Sequence, residues 1–372
     1  MVANAKHDLK QVASHFQLEG CFLDAVPYGS GHINDTYASR FQQGDKVVRY
    51  IHQRINNSVF KEPEKLMENV ERVTSFARER IITAGGDYLR ETLNLIPTLD
   101  GKNHYRSSEG DYWRTYVFIE GARTYDQVED LRHVYSASKS FGSFQLLLST
   151  LPGERLNETI PCFHHTRKRF EAFNEVLAID RLNRASEVKD EIAFVLAREA
   201  ETSVIVDLLA RGEIPERVTH NDTKLNNVMI DDLTGEGVCV IDLDTLMPGS
   251  ALYDFGDSVR LGASTAPEDE QDLSKVTIDL DMFERLARGY LDSAKSFLTS
   301  TEIDYMPFAS KLMTFECGMR FLSDYLSGDV YFKIHRPEHN VDRCRTQLKL
   351  VADMDRLVDR MTSIVDASSK AL

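Results

Sequence analysis

The side chains whose spacing is most informative lie in one polar segment in the second half of the chain. Residues 220–227 read HNDTKLNN, so Asp222 precedes Asn227 by five positions, and Asp242 follows further along. Phosphoryl transfer needs a carboxylate that orients the attacking hydroxyl and accepts its proton, and oxygen ligands that hold magnesium against the phosphates. We therefore predict Asp222 as the catalytic base and Asn227 with Asp242 as metal ligands.

This spacing alone is a weak signal, because it fixes only three positions and a lone Asp222 could equally cap a helix or a turn. The sequence that follows makes the signal stronger. Residues 228–231 and 238–241 are strand-like runs that flank the turn 232–237, so Asp242 ends the second strand of a predicted hairpin. A polar loop, a hairpin and an aspartate at its far end are parts that kinases require.

Three neighbouring side chains have roles that the pattern leaves more open. Lys224 could neutralise charge that moves with the phosphoryl group, or it could be a solvated loop lysine. The place of His220 resembles that of the structural histidine in kinase catalytic loops, so we expect it to bond backbone. Asp244 could be a second metal contact or could point to the opposite face, and we assign the metal to Asp242.

The first third of the chain is rich in strand-like segments. Two of them flank residues 28–32 (YGSGH), which suit the tip of a hairpin because glycine tolerates positive φ. A helix is predicted at 63–80, where apolar residues recur at helical spacing after a proline. The predicted strands are 22–26, 36–41, 46–55, 93–99 and 112–119.

Beyond residue 121 the pattern changes to helical periodicity with few breakers, and the predicted helices are 131–148, 166–179, 186–211 and further helices from 280 onward. We predict an α+β, protein-kinase-like fold with two lobes. Residues 1–120 would form a nucleotide-binding lobe with a small antiparallel sheet. Residues 121–372 would form a large helical lobe for catalysis and substrate binding, and the chain is long enough for both.

The composition argues against several classes of partner. The 44 basic and 59 acidic side chains give a formal net charge of −15, which opposes binding to nucleic acid or anionic lipid. The five cysteines are widely spaced without a CxxC pair, so we expect reduced, buried thiols. No segment reads as a signal peptide or membrane span. We therefore expect a cytoplasmic protein that acts on a small molecule, with an oligomeric state that the sequence leaves open.

The loop and hairpin resemble those of aminoglycoside and choline kinases, whose catalytic loop usually has glycine where Asn221 stands. Four segments resemble bacterial N-acetylhexosamine 1-kinases over nearly the whole chain: 31–37 (GHINDTY), 53–56 (QRIN), 220–227 and 320–326 (RFLSDYL). The resemblance implies ATP and Mg2+ as cosubstrates and phosphorylation of the anomeric 1-hydroxyl of a sugar such as GlcNAc or GalNAc.

Two other functions remain as alternatives. One is a kinase for another small alcohol, such as an amino alcohol, whose cationic group would want an aromatic or acidic cage. The other is a nucleotide-binding pseudokinase without turnover. The second is disfavoured because Asp222, Asn227 and Asp242 are all present, and a binding module has no need of a base together with both metal ligands.

The nucleotide side of the site departs from the protein-kinase pattern. Gly29 and Gly31 are only a fragment of a glycine-rich loop, and no V-A-I-K sequence is present. We assign both glycines to the nucleotide, together with Glu120 at the junction between the predicted lobes.

The cation expected on the third strand is Arg54, which matches an arginine of choline-kinase-like sequences. Its acidic partner would lie on the following helix, where Glu68 and Glu71 both qualify by position. Each could also be an exposed helix charge that pairs locally. We choose Glu68 as the partner of Arg54.

The acceptor side is assigned to Arg320 and Tyr331, in a segment that resembles the sugar-site region of N-acetylhexosamine 1-kinases. A guanidinium could hold sugar hydroxyls or an acetamido carbonyl through two donors at once. Leu312 and Met319 have helical spacing, so Arg320 could also be the polar edge of a packed helix. Asp222 also belongs to the acceptor side, because it would bond the attacking hydroxyl.

Two other features receive no catalytic role. The adjacent His164 and His165 lack partners at metal-ligand spacing, so surface or capping positions are expected. The triplet 254–256 (DFG) lies beyond Asp242, where the hairpin already supplies the metal aspartate. We expect Asp254 and Asp257 to stabilise the helical lobe, and the resemblance to the related families implies that an aspartate here supports the catalytic loop or caps the next helix.

Overall fold

The structure is a computed structural model that describes residues 7–29, 33–126, 128 and 130–371. The strands of its first lobe are β1 (Cys21–Pro27), β2 (Asp35–Gln43), β3 (Lys46–Ile55), β4 (Tyr105–Arg106) and β5 (Tyr112–Val117). They form one antiparallel sheet in the order β1-β2-β3-β5-β4. The helices of this lobe are α1 (Leu9–Ala13), α2 (Pro63–Thr83) and α3 (Tyr88–Glu91).

The two faces of this sheet have different surroundings, because consecutive strand residues point to opposite sides. Gln53 of β3 lies opposite Arg114 of β5, and the next residue, Arg54, lies opposite Trp113. Trp113 packs in a cluster with apolar residues of α1. Arg114 contacts the sulfur of Met67 on α2. The face that carries Arg114 is therefore the one directed toward α2 and the helical lobe.

The second lobe is mainly helical and carries two small antiparallel sheets. Its helices are α4 (Leu131–Leu148), α5 (Thr166–Ile179), α6 (Lys189–Leu196), α7 (Val204–Ala210), α8 (Ala251–Gly262), α9 (Leu280–Ala294), α10 (Ser300–Asp304), α11 (Met306–Ser327) and α12 (His339–Ala371). The strands are β6 (Ala122–Arg123), β7 (Arg217–Thr219), β8 (Val228–Asp231), β9 (Gly237–Val240) and β10 (Met247–Gly249). β6, β8 and β9 form one sheet, and β7 pairs with β10. The small sheet lobe and the large helical lobe are the kinase-like α+β architecture that the sequence predicts.

Close helix packing organises the core of the helical lobe. A Cβ added at Gly142 of α4 would lie 2.6 Å from the carbonyl oxygen of Tyr290 on α9, and one at Gly289 would collide with the carbonyl oxygen of Tyr135. The two glycines therefore permit α4 and α9 to approach more closely than side chains would allow. α11 is buried along most of its length and packs against α5, α8 and α12.

Two predicted elements differ in the structure. The strand expected at 93–99 is reduced to isolated bridges, such as Leu95 with Tyr116, and Pro97 removes a ladder donor from this segment. The long helix expected at 186–211 is divided into α6 and α7. The segment Glu199–Ser203 between them is a 3-10 helix, in which the Thr202 hydroxyl bonds the Glu199 carbonyl in competition with α-helical pairing.

All five cysteines are free thiols. Cys239, Cys317 and Cys344 are buried as expected, but Cys21 is exposed and Cys162 is half-buried, so the expectation of buried thiols is wrong for Cys21. Among the helices of the described residues, none has the length and apolar character needed to cross a membrane.

Candidate active site

The predicted catalytic segment is the loop that joins β7 to β8. Lys224 Nζ lies 3.0 Å from Asp222 Oδ2. The side-chain amide of Asn227 donates to the Asp222 carbonyl at 2.7 Å and to Asp222 Oδ2 at 3.1 Å. The loop therefore brings Asp222, Lys224 and Asn227 together and orients the carboxylate of Asp222.

Lys224 lies among several carboxylates. Burial lowers the pKa of Lys224, but the negative charges of Asp222, Asp242 and Asp257 raise it, and the net shift is upward. Lys224 is thus a stably protonated cation beside the predicted base. This position suits the neutralisation of charge on a transferred phosphoryl group better than the role of a solvated loop lysine.

Asn221 explains how the loop tolerates the absence of the usual glycine. Its backbone is left-handed, with φ of 65°, a region in which asparagine is several-fold enriched among residues that have a Cβ. Its side-chain amide donates to the carbonyl oxygens of Thr245 (2.8 Å) and Thr219 (3.3 Å). Asparagine thus adopts the required conformation and adds bonds that glycine could not make.

Two aspartates of α8 hold the backbone of the same loop. Asp254 accepts from the amides of His220 (2.9 Å) and Asn221 (2.7 Å). Asp257 accepts from the amide of Thr223 at 2.9 Å. The expectation that Asp254 and Asp257 have a supporting role rather than a metal-binding one agrees with these contacts, and the support goes to the catalytic loop.

His220 is fully buried and its ring bonds backbone, as expected for a structural histidine. Nε2 lies 2.8 Å from the carbonyl oxygen of Ile241. This contact ties the start of the catalytic loop to the residue that precedes Asp242.

Asp242 follows β9 in a left-handed conformation, with φ of 59° and ψ of 56°. The amide of the preceding Ile241 donates to the Asn227 carbonyl at 2.9 Å, so both predicted metal ligands meet at the end of the hairpin. Burial raises the pKa of Asp242 to about 6, and the charges of Asp244 and Asp222 act in the same direction. Uncompensated negative charge of this kind fits a divalent cation.

The metal assignment depends on a mixed set of donors. In the part of the chain that the structure describes, no three His, Cys, Asp or Glu side chains are arranged to hold a metal ion. Asp242 and the amide oxygen of Asn227 would therefore need oxygens from a bound nucleotide and water. Magnesium sites of phosphoryl-transfer enzymes commonly have this composition.

Asp244 is already engaged by two other side chains. Arg114 Nη1 lies 2.5 Å from Asp244 Oδ1, and the two side chains are only 1% and 3% exposed. The Asn34 side-chain amide donates to Asp244 Oδ2 at 2.5 Å, and Asn34 Oδ1 accepts from the amide of Asn56 at 3.0 Å. Because both oxygens of Asp244 have partners, this arrangement favours Asp242 as the metal ligand.

The predicted ion pair between Arg54 and Glu68 is wrong. Arg54 pairs with Asp35 (Nη2–Oδ2 2.6 Å) and Asp111 (Nη1–Oδ1 3.1 Å), on the sheet face covered by α1. Glu68 is exposed on α2 and accepts from the side-chain amide of Asn157 at 2.9 Å. Arg54 thus supports the sheet and lies on the face opposite to the catalytic loop.

The cation on the catalytic face is Arg114, which the sequence reasoning missed. Gln53 and Arg54 are adjacent in β3, so only one of them can point to this face, and it is Gln53. Gln53 Oε1 accepts from Arg114 Nε at 3.0 Å. Since successive strand residues point to opposite faces of a sheet, counting along β3 from the hairpin could have indicated which face Gln53 and Arg54 occupy. No sequence motif indicates Arg114.

Of the other residues assigned to the nucleotide, Gly29 follows β1 and Glu120 follows β5. Gly29 is exposed and has φ of 80°, which glycine adopts readily, whereas Gly31 lies outside the described residues. The carboxylate of Glu120 accepts from Arg49 Nε at 2.9 Å. Its carbonyl oxygen accepts from Arg90 Nε at 3.2 Å. Glu120 therefore has protein partners for both groups.

An apolar cluster adjoins Asp242. Ile119, Met229 and Cys239 form its buried part, and Ile241, directly before Asp242, packs against it. Such a cluster beside the carboxylate assigned to the metal suits a flat apolar ring whose other end is charged.

The two predicted acceptor residues lie in one aromatic cluster. The guanidinium carbon of Arg320 is 5.2 Å from the ring centroid of Phe163, 5.5 Å from that of Phe332 and 6.0 Å from that of Tyr331. Tyr331 is 60% exposed. Arg320 makes no ion pair or hydrogen bond with any other described residue, so its donors are available to a ligand.

Arg169 of α5 is a second cation of this cluster, and the sequence reasoning missed it. Its guanidinium carbon is 5.8 Å from the Phe163 ring centroid, and Nε donates to the Phe163 carbonyl at 3.0 Å. Burial lowers the pKa of Arg169, and the charge of Arg320 lowers it further. Two guanidiniums at one aromatic ring favour a ligand with oxygen acceptors and disfavour a cation.

The adjacent histidines have different places. His165 Nδ1 accepts from the amide of Lys168 at 3.4 Å and caps α5, as expected. His164 is only 7% exposed and contacts Glu316 and the Asn221 carbonyl, so the surface or capping expectation is wrong for His164.

Comparison with known proteins supplies the family. The model of the phosphotransferase enzyme family (APH) matches residues 24–288. An aminoglycoside phosphotransferase from Alicyclobacillus acidocaldarius has a TM-score of 0.56 at 13% identity, with 100% of this chain and 98% of that chain covered. Spectinomycin phosphotransferase APH(9)-Ia, in complex with ADP and spectinomycin, has a TM-score of 0.54 at 12% identity, with 96% of each chain covered. Choline kinase from Cryptosporidium parvum has a TM-score of 0.53 at 14% identity, with 92% of each chain covered. The chain belongs to the phosphotransferase enzyme family.

Proposed function

We propose that the protein is an ATP-dependent kinase that transfers the γ-phosphoryl group to a sugar hydroxyl, most specifically the anomeric 1-hydroxyl of an N-acetylhexosamine such as GlcNAc or GalNAc. The observation that carries the proposal is the loop that assembles Asp222, Lys224 and Asn227 beside Asp242. Membership of the phosphotransferase family supports group transfer, and the resemblance of four segments to N-acetylhexosamine 1-kinases supports the sugar.

Each residue of the loop has a defined task in this proposal. Asp222 bonds the attacking hydroxyl and accepts its proton, while Lys224 neutralises charge on the transferred group. Asn227 and Asp242 would hold magnesium, which supplies charge neutralisation at the phosphates when it is bound. Asp254 and Asp257 fix the loop backbone, so the base is oriented before the acceptor arrives.

In this proposal the nucleotide binds at the junction between the two lobes. The apolar cluster of Ile119, Met229 and Ile241 suits the adenine ring, and Ile241 directly precedes Asp242, the carboxylate assigned to the metal. Gly29, which follows β1, and Gly31, two positions later in the sequence, would cover the phosphates. Similarity to a spectinomycin phosphotransferase that binds ADP is in keeping with this placement.

The acceptor is placed at Arg320 and Tyr331. The Arg320 guanidinium makes no ion pair or hydrogen bond with the residues that the structure describes, so it can donate to two oxygens of a sugar or acetamido group, and an aromatic ring can cover an apolar sugar face. Choline-type acceptors are the second candidate because a choline kinase shares the fold. Arg169 and Arg320 at one ring argue against a cationic acceptor.

The test is a screen for magnesium-dependent ADP release with free hexosamines, N-acetylhexosamines, plain hexoses and small amino alcohols. We expect turnover with an N-acetylhexosamine, and 31P NMR should locate the phosphate on the anomeric oxygen. Turnover with choline or ethanolamine alone would replace the sugar proposal by the amino-alcohol one. ATP binding without turnover across the panel would identify a pseudokinase.

Three coarser expectations accompany this function. We propose that the nucleotide-binding lobe ends near residue 120 and the catalytic lobe begins at 121, since the assigned base and metal ligands all follow that point. We also propose a cytoplasmic location. The net charge of −15 supports the absence of nucleic-acid and membrane partners.

A further inference from the structure

His164 and Glu316 form a buried polar contact beside the catalytic loop. His164 Nδ1 lies 2.7 Å from Glu316 Oε1, and the two side chains are 5% and 1% exposed. The second carboxylate oxygen of Glu316 accepts from the Thr166 hydroxyl at 2.5 Å. His164 Nε2 lies 3.2 Å from the carbonyl oxygen of Asn221. One imidazole thus joins α11, the start of α5 and the catalytic loop.

Both ring nitrogens of His164 face oxygens that accept hydrogen bonds. Burial raises the pKa of Glu316, but His164 and Thr166 lower it, and the net shift is downward, so Glu316 is ionised. The His164 ring is therefore held between an ionised carboxylate and the carbonyl oxygen of Asn221 in the catalytic loop.

Two aromatic rings pack near the imidazole. The ring of Tyr253 on α8 is 5.5 Å from the His164 ring centroid, and that of Phe163 is 4.5 Å away. Arg320 of α11, like His164, lowers the pKa of Glu316.

The carbonyl that His164 contacts belongs to the peptide bond between Asn221 and Asp222. Since this peptide is planar, a donor on the carbonyl oxygen fixes the orientation of the backbone from which the Asp222 side chain projects. Asn221 is left-handed, so the peptide has an orientation that an unsupported chain would rarely adopt. The amide of Asn221 is held from the other side by Asp254.

The same two residues are connected to the acceptor side. Arg320 lies four residues after Glu316 on α11, one turn along the same helix face. Phe163, whose ring adjoins Arg320, is the residue directly before His164. The aromatic cluster and the loop that carries Asp222 therefore meet at one imidazole.

We propose that His164, together with Glu316, is a positioning residue that fixes Asp222 relative to the acceptor pocket around Arg320. Its Nε2 contacts the Asn221 carbonyl, and Glu316 holds the ring through Nδ1. The inference rests on the proposed kinase function and extends it to two residues for which neither spacing nor resemblance indicates a role.

The test compares neighbouring histidines in the full-length protein, with ATP, magnesium and N-acetylglucosamine or N-acetylgalactosamine. His164→Phe removes the imidazole but leaves the buried Glu316 carboxylate with only the Thr166 hydroxyl as a partner, which could prevent folding. The double variant His164→Phe/Glu316→Leu replaces the whole polar pair by apolar groups and still lacks the contact to the Asn221 carbonyl. The matched control is His165→Asn, which removes an imidazole but retains a capping side chain.

We expect the double variant to lose kcat by ~10-fold or more while KM for ATP stays within about twofold, because only the orientation of the base is disturbed. His165→Asn should keep the wild-type kcat. In an Asp222→Asn background, the double substitution should cost less than about twofold in addition, since it acts through the missing carboxylate. A folded double variant with wild-type kcat would overturn the proposal. So would a double substitution that lowers kcat by the same factor in the Asp222→Asn background as in the wild-type protein.

One measurement decides the inference even if no sugar supports turnover, an outcome that would contradict only the proposed function. Amides of residues 221–223 should exchange hydrogen faster in the double variant and at the wild-type rate in His165→Asn. Unchanged exchange in the double variant would refute the positioning role.

Discussion

Arg114 of the small lobe and Asp244 of the helical lobe form an ion pair that is almost completely buried. Burial lowers the pKa of Arg114, but Asp244 raises it and the net shift is upward, so the guanidinium remains charged. Asp244 lies two residues after the carboxylate assigned to the metal. The pair therefore connects the antiparallel sheet to the end of the hairpin that carries Asp242.

Replacement of Arg114 by methionine should strongly destabilise the protein. The Asp244 carboxylate would then be buried with only the Asn34 amide as partner, and removal of one member of a buried ion pair costs about 3–5 kcal/mol. Chemical denaturation measures the loss. The control is Arg40→Met, because the Arg40–Asp24 pair of the same sheet is exposed. The Tm of this variant should be close to the wild-type value. Equal effects of the two substitutions would contradict the importance of burial.

The contrast between Arg114 and Arg54 illustrates what a sequence can predict here. The bounds of β3, α4 and α5 agree with the prediction, because each depends on a local pattern of apolar residues. The partner of an arginine in a strand depends instead on which sheet face it occupies. It also depends on residues far along the chain, such as Asp244, which no local spacing indicates.

The catalytic loop shows a similar division. Asp222, Lys224 and Asn227 could be assigned because they lie in one short segment whose spacing is set by the chemistry. The residues that hold this loop, above all His164, come from distant helices and meet it only in the folded protein. Arg169 was not predicted for the same reason, since its place is defined by a shared contact with Phe163.

Asp222→Asn should preserve folding and ATP affinity while turnover falls by ~10²-fold or more. The substitution keeps the size of the side chain and removes proton acceptance and the charge that orients the hydroxyl. Steady-state kinetics and nucleotide titration separate the two effects. The control is Asp232→Asn, which changes an exposed carboxylate on the adjacent hairpin and should leave turnover intact. Near-normal turnover of Asp222→Asn would remove Asp222 from the mechanism.

Asp242→Ala should weaken the magnesium-dependent part of nucleotide binding and nearly abolish turnover. The remaining ligand, Asn227, is neutral and cannot offset the desolvation of a divalent cation. Calorimetric titration with ATP at several magnesium concentrations checks this expectation, and high magnesium should restore little activity. Unchanged magnesium dependence would mean that another carboxylate holds the metal.

His52 should make the protein less stable below about pH 6.5. Burial between Ser39 and Thr115 lowers the pKa of His52 to about 4, so the folded protein keeps the ring neutral while the unfolded chain protonates it. The contribution of the neutral His52 ring to the free energy of unfolding is complete above the pKa of the unfolded chain. It is lost as the pH falls toward the pKa of the folded protein, and the total loss is about 3 kcal/mol. Denaturation from pH 7 to pH 4 should show this extra loss relative to His52→Gln. Parallel stability curves of the two proteins would contradict it.

Arg320→Ala should raise KM for the sugar much more than KM for ATP. The guanidinium lies among the rings of Phe163, Tyr331 and Phe332 and makes no ion pair or hydrogen bond with the described residues, so its donors can bind acceptor oxygens. Loss of a charge-assisted bidentate contact of this kind corresponds to about 1.5–3 kcal/mol, or roughly 10- to 100-fold in sugar KM. Arg40→Ala, an exposed change remote from the acceptor helix, serves as the control. A uniform rise of both KM values with a lower Tm would identify Arg320 as a structural residue and would leave the acceptor pocket unassigned.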